Sequence, residues 1–300
     1  MYSFTKTQQV FELGSIAFGG QPGEHPTVLF GGMFFKGAPD FTAASHQLAS
    51  MLRIGDETGM PTIPDVFIRK EEYIEPIIAF LEQHLPKTHP FSVDFIESSL
   101  KIKTLEALHD HKLLARTIYN SVHIGMTAPE REALKQHTPA MALIVAFNPK
   151  DSSPDGKIEV LENGAHLLDS GLLAVASSVG IQRILVDTAA LAPGENSGAA
   201  LAALPVIKEE YGLPAGCAIH NVVEKSKWLT RYESAKTTVD AASNAGIALF
   251  GGDFAIFGPV ELAPVVVPLM AWFDIVVSEY TEAYFGVCPS QQHPRRVFSP

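Results

Sequence analysis

The sequence predicts a single (β/α)₈ barrel, and three observations support this: the number of strand candidates, their apolar character and their regular spacing. Eight short segments rich in β-branched or aromatic residues recur along the chain, at 27–35, 61–67, 90–95, 116–121, 141–148, 183–188, 216–221 and 247–253. Most are nearly continuous apolar runs without alternation, which is typical of parallel strands covered on both faces. Eight such units favour a closed barrel.

Amphipathic segments lie between the strand candidates, among them 70–85 and 100–115. Strand and helix together recur at roughly the length of a βα unit. No linker, charge block or low-complexity segment divides the chain, so we expect one domain over residues 1–300. An open, doubly wound sheet is the alternative, because counting strands does not show closure.

Three connecting segments carry further expectations. The polar stretch 148–164 predicts a surface loop with a small hairpin, placed either as a plain excursion or over the barrel mouth, and 165–180 predicts the following helix. Turn-forming residues 19–26 suit either end of the barrel. The apolar stretch 262–278 is interrupted by Pro264, Pro268 and Asp274, which favours a buried barrel helix over a membrane span.

Composition excludes several classes of function. A formal net charge of −11 without any Lys/Arg run argues against nucleic-acid binding. Cys217 and Cys288 are far apart, which disfavours a disulfide framework or a cysteine-rich zinc site. The N-terminus lacks the apolar segment of a signal peptide, so we expect a cytoplasmic protein without membrane insertion.

Common catalytic signatures are also missing from the sequence. It contains no phosphate-binding P-loop, dinucleotide-binding glycine motif, HExxH, CxxC or GxSxG pattern. His109 and His111 stand on a helical segment and more often mark a solvated face than a metal site. We therefore expect no metal bound by this chain.

Polar side chains end four of the predicted strands, where a barrel enzyme displays its working groups. They are Asp94, Asn120, Asp187 and Asn221. Taken singly, each could be the N-cap of the next helix. Taken together, they form a mouth rich in hydrogen-bond acceptors, which suits a planar heterocycle with amino and ring N–H donors, such as a pterin.

Three neighbouring features stay ambiguous in the sequence. His220 precedes Asn221, and strand alternation places it on the opposite face, as a packed histidine rather than a catalytic base. Asp253 follows Gly251–Gly252, a pair that predicts either a tight turn or a close approach of a ligand to the backbone.

The chain resembles the H subunit of tetrahydromethanopterin S-methyltransferase and the related corrinoid-dependent methyltransferases that act on tetrahydrofolate. The segments that carry the resemblance span most of the chain: FGGQPGEHPTVL, DETGMP, FSVDF, IYNS, VAFNP, LENG, LVDTA, IHN and GGDFAIFGP. The resemblance implies a barrel that binds a tetrahydropterin at its mouth. It implies that Asp94, Asn120 and Asp187 hold the pterin ring and that Asn221 acts at N5.

The reaction implied by this resemblance moves a methyl group from methyl-cob(III)alamin, carried by a separate corrinoid protein, to N5 of tetrahydrofolate. The products are 5-methyltetrahydrofolate and cob(I)alamin. Tetrahydromethanopterin within a larger complex is the alternative acceptor, and a homodimer is expected from the family. A barrel lyase or isomerase with Asp94 or Asp187 as base, and a subunit that only docks a methyl carrier, are the competing hypotheses.

Overall fold

A computed structural model describes residues 3–298, except for residues 36, 96 and 191–196. Ten strands occur in the described residues: β1 (Val10–Leu13), β2 (Ile16–Gly19), β3 (Val28–Phe34), β4 (Thr62–Ile68), β5 (Phe91–Phe95), β6 (Thr117–Val122), β7 (Met141–Val145), β8 (Ile184–Asp187), β9 (Ala215–Cys217) and β10 (Phe254–Pro259). The first two form an antiparallel hairpin. The other eight are parallel and close into a barrel in the order β10-β3-β4-β5-β6-β7-β8-β9. The predicted closed barrel is confirmed, and the open sheet is excluded.

Helices cover the outside of this barrel. The α-helices are α1 (Phe41–Thr58), α2 (Ile74–His84), α3 (Ser98–Asp110), α4 (Ala128–Gln136), α5 (Pro154–Glu162), α6 (Leu172–Ser178), α7 (Gly198–Tyr211), α8 (His220–Glu224), α9 (Glu233–Leu249), α10 (Ala263–Phe285) and α11 (Pro294–Phe298). Short 3₁₀ turns occupy Glu71–Tyr73, Leu114–Arg116, Gly164–His166, Lys227–Tyr232 and Val260–Leu262.

The start and end of α1 show how the sequence sets these elements locally. The Asp40 carboxylate accepts hydrogen bonds from the backbone N–H groups of Thr42 and Ala43, both at 3.1 Å, and so satisfies donors in the first turn. The helix ends at Gly59, whose φ of 72° is a left-handed conformation that glycine adopts without strain.

The last two predicted strands are misplaced in the sequence analysis. Residues 247–249 of the predicted eighth strand complete α9, and the strand itself is β10, which begins at Phe254. The predicted seventh strand, 216–221, ends early because α8 begins at His220. The predicted hairpin within 148–164 is also wrong, since Pro154–Glu162 forms α5, and the helix predicted at 165–180 is confined to Leu172–Ser178.

The β1–β2 hairpin closes the end of the barrel at which the strands begin. Its apolar residues pack on the side chains that fill the barrel's lower interior, and this cluster comprises Leu13, Ile16, Phe18, Val28, Phe30, Ile63, Ile118, Met141, Leu143, Leu185 and Phe254. Phe18 is fully buried, and its ring lies 6.3 Å from that of Phe30. The opposite end, where the strands terminate, is the mouth.

The apolar segment near the C-terminus is the eighth barrel helix. Residues 260–285 are long and apolar enough to cross a membrane by length and composition, with a mean hydropathy of 1.9. In the fold this helix packs against α9 and α1. Asp274 in its middle is buried and accepts hydrogen bonds from the backbone N–H and hydroxyl of Thr27, at 2.7 and 2.8 Å. The prediction of a helix packed on the barrel agrees with these contacts.

Candidate functional site

The inner face of each strand can be read from its alternation. In β4, Ile63 belongs to the cluster inside the barrel whereas Val66 and Ile68 pack outside, so Asp65 and Phe67 face inward. On β6, Asn120 shares the inward face of Ile118, and on β8, Asp187 shares the inward face of Leu185. Asp94 on β5 also faces inward and is the register neighbour of Asn120.

Inward-facing polar residues meet near the C-terminal ends of these strands. Asp94 and Asn120 are register neighbours across β5 and β6. The Asn120 side-chain amide lies 3.4 and 3.5 Å from the two carboxylate oxygens of Asp65. Asp187 is also close enough to Asp65 for electrostatic repulsion between the two carboxylates to raise the pKa of Asp187. The structure therefore brings three predicted residues together with a fourth, Asp65, that the sequence analysis missed.

The three carboxyl groups are all harder to ionise than usual. Burial raises the pKa of Asp94 to about 8, and repulsion from Asp65 contributes to this rise. Burial raises the pKa of Asp187 to about 6, again with repulsion from Asp65. Burial likewise raises the pKa of Asp65 above its usual range. Crowded, buried carboxyls of this kind are frequent at functional sites, because hydrogen-bond donors of a ligand can stabilise their ionised forms.

Two buried lysines, Lys101 and Lys157, partly offset the negative charge of these carboxyl groups. Lys101 favours the ionised form of Asp94, and Lys157 favours that of Asp187. Lys101 Nζ is held by Glu130 at 3.1 Å and by the Ser121 carbonyl at 3.2 Å. Both lysines are almost fully buried within helices, where sequence patterning does not separate them from solvated residues.

The alternative that these residues cap helices is not realised. The N-cap positions of α3, α4 and α7 are held by Glu97, Thr127 and Ser197, and of these the Thr127 side chain accepts a backbone N–H, from Glu130. Asp94 and Asp187 instead order their own strand ends by accepting backbone N–H groups, from Phe95 at 2.7 Å and from Ala189 at 2.8 Å.

Asn221 does not join the group through any contact with the described residues. It lies in α8, four positions after the end of β9 rather than at a strand end, and its side chain is exposed. Its amide makes no hydrogen bond within the described part of the chain. An exposed amide on the mouth side of the barrel is free to meet a ligand.

The structure separates His220 from Asp253. His220 Nδ1 lies 2.6 Å from Asp240 Oδ2, and the ring packs on Gly258 near the end of β10, where a Cβ would come within 2.5 Å of it. His220 is thus a mostly buried histidine oriented by a carboxylate. Asp253 lies at the closed end of the barrel, bonded to Lys208, and so takes no part in the mouth.

The two histidines of α3 and its C-terminus are engaged with other side chains. His111 lies between Glu75 and Glu82, at 3.1 and 2.9 Å, and the His109 ring lies 4.7 Å from that of His137. Among the described residues, no group of three or more His, Cys, Asp or Glu side chains is arranged to hold a metal ion.

Comparison with solved structures supports the architecture. Dihydropteroate synthase from Yersinia pestis in a sulfonamide drug complex superposes with a TM-score of 0.65 over 90% of this chain and 100% of that one, at 13% identity. Dihydropteroate synthase from Xanthomonas albilineans in complex with 7,8-dihydropteroate gives a TM-score of 0.60 over 89% and 98%, at 17% identity. At such low identity, these likenesses show a shared fold.

Comparison of sequences is more specific. The H subunit of a putative mtx methyltransferase from Methanosarcina barkeri is 33% identical over 98% of both chains. The H subunit of tetrahydromethanopterin S-methyltransferase from Methanothermobacter thermautotrophicus is also 33% identical over 98% of both. The family described as the tetrahydromethanopterin S-methyltransferase MtrH subunit matches residues 6–289. The chain therefore belongs to the MtrH family of methyltransferase subunits.

Proposed function

We propose that this chain is a tetrahydropterin methyltransferase that exchanges a methyl group between N5 of the pterin and a corrinoid carried by a partner protein. The observation that carries the proposal is the group of Asp65, Asp94, Asn120 and Asp187 on the inner face of one barrel mouth. Membership in a family of methyltransferase subunits supports the reaction class.

The donor and acceptor chemistry of this group fits the pyrimidine edge of a pterin. That edge presents a 2-amino group and an N3–H side by side, which can donate two parallel hydrogen bonds to one carboxylate. Asp94 and Asp187 offer such carboxylates, and the Asn120 amide can serve the carbonyl beside them. A sugar phosphate fits poorly, because its negative charge would face three carboxyl groups.

The work of the residues in methyl transfer is mainly positioning. The partner's methylated corrinoid supplies a methyl group bound to cobalt. The N5–carbon bond forms as the cobalt–carbon bond breaks, the electron pair stays on cobalt, and the N5 proton leaves to solvent. Fixing the ring with Asp94, Asn120 and Asp187 holds N5 in line with the methyl carbon, which lowers the barrier through proximity. Asn221 orients the N5 lone pair, since an amide can donate or accept a hydrogen bond.

Two pterins are candidates for this mouth. The curated relatives named above favour tetrahydromethanopterin over the tetrahydrofolate predicted from the sequence. The cluster of Asp65, Asp94, Asn120 and Asp187 cannot discriminate between the two pterins, because both carry the same pyrimidine edge. Tetrahydrofolate is the second candidate because Arg69, an exposed cation one residue past the end of β4, can pair with the glutamate carboxylates of its tail.

The direct test is anaerobic methyl transfer. Methylcobalamin is mixed with the protein and either tetrahydromethanopterin or tetrahydrofolate, and cob(I)alamin is followed by its absorbance. We expect cob(I)alamin to accumulate with at least one pterin and to be lost in Asp187→Ala. Absence of the signal with both pterins, together with absence of pterin binding by calorimetry, would refute the proposal.

Replacing Asn221 by Ala is expected to slow methyl transfer at least tenfold while changing pterin affinity by less than about threefold. The reason is that an exposed amide acting at N5 contributes to the reacting geometry more than to ring binding. Single-turnover rates and calorimetry measure the two quantities separately. Asn163→Ala is the control, because Asn163 lies after α5 and only accepts the Ala165 N–H. A weakened affinity with an unchanged rate would reduce Asn221 to a ring contact.

Assembly and location belong to the same proposal. A homodimer is supported by the outer side of α10, where Val265 and Trp272 are 45% and 62% exposed and Leu269 lies between them. Burying such an apolar stripe against a second copy would remove it from water. We place the protein in the cytoplasm, where a corrinoid protein and a reduced pterin can meet it.

A further inference from the structure

We infer that the mouth also binds the tail of the pterin: Phe34 and Phe67 form an aromatic ledge for an aryl ring, and Arg69 binds a carboxylate beyond it. This inference rests on the proposed function and extends it from the pterin ring to the benzoyl-glutamate tail of a folate. It concerns Phe34 on β3, Phe67 near the end of β4 and Arg69 just past it, none of which belongs to the cluster of Asp65, Asp94, Asn120 and Asp187.

The aromatic ledge lies inside the mouth rather than on the outer wall. Alternation from Val28 and Phe30 makes Gly32 and Phe34 inward-facing. A Cβ at Gly32 would lie 2.3 Å from the Phe34 ring, so the ring is folded back across the inner face of β3. Gly32 is the register neighbour of Asp65. The aromatic ledge is therefore adjacent to Asp65 and the cluster to which it belongs.

Its two rings are available to a ligand. Phe34 and Phe67 are register neighbours, and their centroids lie 6.0 Å apart at an interplanar angle of 55°. Phe34 is nevertheless 45% exposed, and Phe67 is only partly buried. Two inward-facing phenyl rings left in water beside polar groups gain free energy when a flat apolar ring covers them.

Arg69 adds a cation at the outer edge of the ledge. Its guanidinium lies 5.1 Å from the centre of the Phe67 ring. Within the described part of the chain it makes no ion pair and no hydrogen bond, whereas the neighbouring Lys70 is paired with Glu72. In a protein with a net charge of −11, an arginine without a carboxylate partner beside a mouth is available for an anionic group of a ligand.

The order of these groups along β4 matches the order of groups in a folate. Asp65 and Phe67 occupy alternate positions on the inner face of β4, and Arg69 follows one residue after the strand ends. Four residues of extended chain, the separation from Asp65 to Arg69, span about 13 Å. Exposure rises along the same path, from buried Asp65 through half-buried Phe67 to exposed Arg69. A folate presents its pyrimidine edge, then its aryl ring, then its glutamate carboxylates.

The test compares three ligands by anaerobic calorimetry: tetrahydrofolate, its diamide with both glutamate carboxylates neutralised, and 6-methyltetrahydropterin, which has no tail. Phe34→Ala should weaken the first two about fivefold and leave the third unchanged. Arg69→Gln should weaken tetrahydrofolate alone about threefold, and added salt should erase that difference.

Two matched variants serve as controls. Phe285→Ala removes a ring of similar exposure, 42%, that also has one aromatic neighbour, Tyr280 at 5.9 Å. Arg53→Gln removes an exposed arginine of α1 that is paired with Glu57. Both should bind all three ligands as the wild type does, and thermal melts confirm that every variant folds.

Two results would overturn the inference without touching the proposed function. One is an equal loss of 6-methyltetrahydropterin and tetrahydrofolate in Phe34→Ala, which would place the pterin itself on the ledge. The other is a tetrahydrofolate affinity that is unchanged in Arg69→Gln. A wild-type protein that binds none of the three ligands, nor tetrahydromethanopterin, would instead remove the proposed function.

Discussion

Replacing Asp94 by asparagine is expected to stabilise the folded protein and, at the same time, to weaken pterin binding about a hundredfold. The loss of binding follows from the loss of a charged hydrogen-bond pair, which is worth roughly 3 kcal/mol. The gain in stability follows from removing a carboxyl group that is buried beside Asp65 and is therefore costly to ionise. The asparagine oxygen can still accept the Phe95 N–H.

The stability gain should depend on pH in a defined direction. The pKa of Asp94 is about 8 in the folded protein, against 3.8 for an ordinary aspartate, so the folded state holds the proton more tightly. The wild type therefore loses stability as pH rises from about 4 to about 8, and Asp94→Asn does not share that loss. The variant should match the wild type near pH 4 and exceed it by a few kcal/mol at pH 8.

Urea unfolding at several pH values measures the free energy, and calorimetry measures pterin affinity. Asp169→Asn is the control, because Asp169 is exposed and should change stability by less than about 0.5 kcal/mol at any pH. A variant that is less stable than the wild type at pH 8 would show that the Asp94 carboxylate is favourably held in the free protein.

The second large effect is expected at the closed end of the barrel, where Lys208→Met should destabilise the protein by about 3 to 5 kcal/mol. Lys208 is fully buried on α7 and donates to the Asp253 carboxylate and to the Gly20 carbonyl, the latter at 2.9 Å. Asp253 also accepts the Ala215 N–H at 2.8 Å. Removing the lysine leaves a buried carboxylate with no opposite charge beside it.

Chemical unfolding of three variants separates the charge from the packing. Lys236→Met, which breaks the exposed pair with Glu224, should cost less than about 1 kcal/mol. The double variant Lys208→Met/Asp253→Asn should recover part of the loss, because no unpaired charge stays buried. If Lys208→Met cost no more than Lys236→Met, the buried pair would contribute nothing to stability.

The barrel could be predicted because parallel strands that are covered on both faces appear in the sequence as nearly continuous apolar runs. The placement of the eighth strand failed for the same reason. Residues 247–249 belong to an apolar run as strand-like as any other, yet they complete α9, and Gly251 with a φ of 77° makes the turn that follows. A short apolar run does not distinguish a strand from the last turn of a helix, and the true strand after Asp253 is equally apolar.

Members of the candidate site could be predicted where a polar residue interrupts the end of an apolar run, as at Asp94, Asn120 and Asp187. Asp65 was missed because it stands in the middle of β4, three residues before the strand ends. A signal was available: a charged residue two positions from Ile63 and from Phe67 shares their inner face. Lys101 and Lys157 gave no such signal, because their burial depends on partners distant in sequence.

Among the described residues, the β1–β2 hairpin seals the lower interior, so a ligand reaches the inside of the barrel only through the mouth. Under the proposed function, a small molecule and a whole protein must both use it, and the protein is large enough to cover it. The pterin has to enter first, and the methylated product can leave only after the partner has withdrawn. Steady-state kinetics should then show a compulsory order of binding, imposed by Leu13, Ile16 and Phe18 at the end of the barrel where no chemistry takes place.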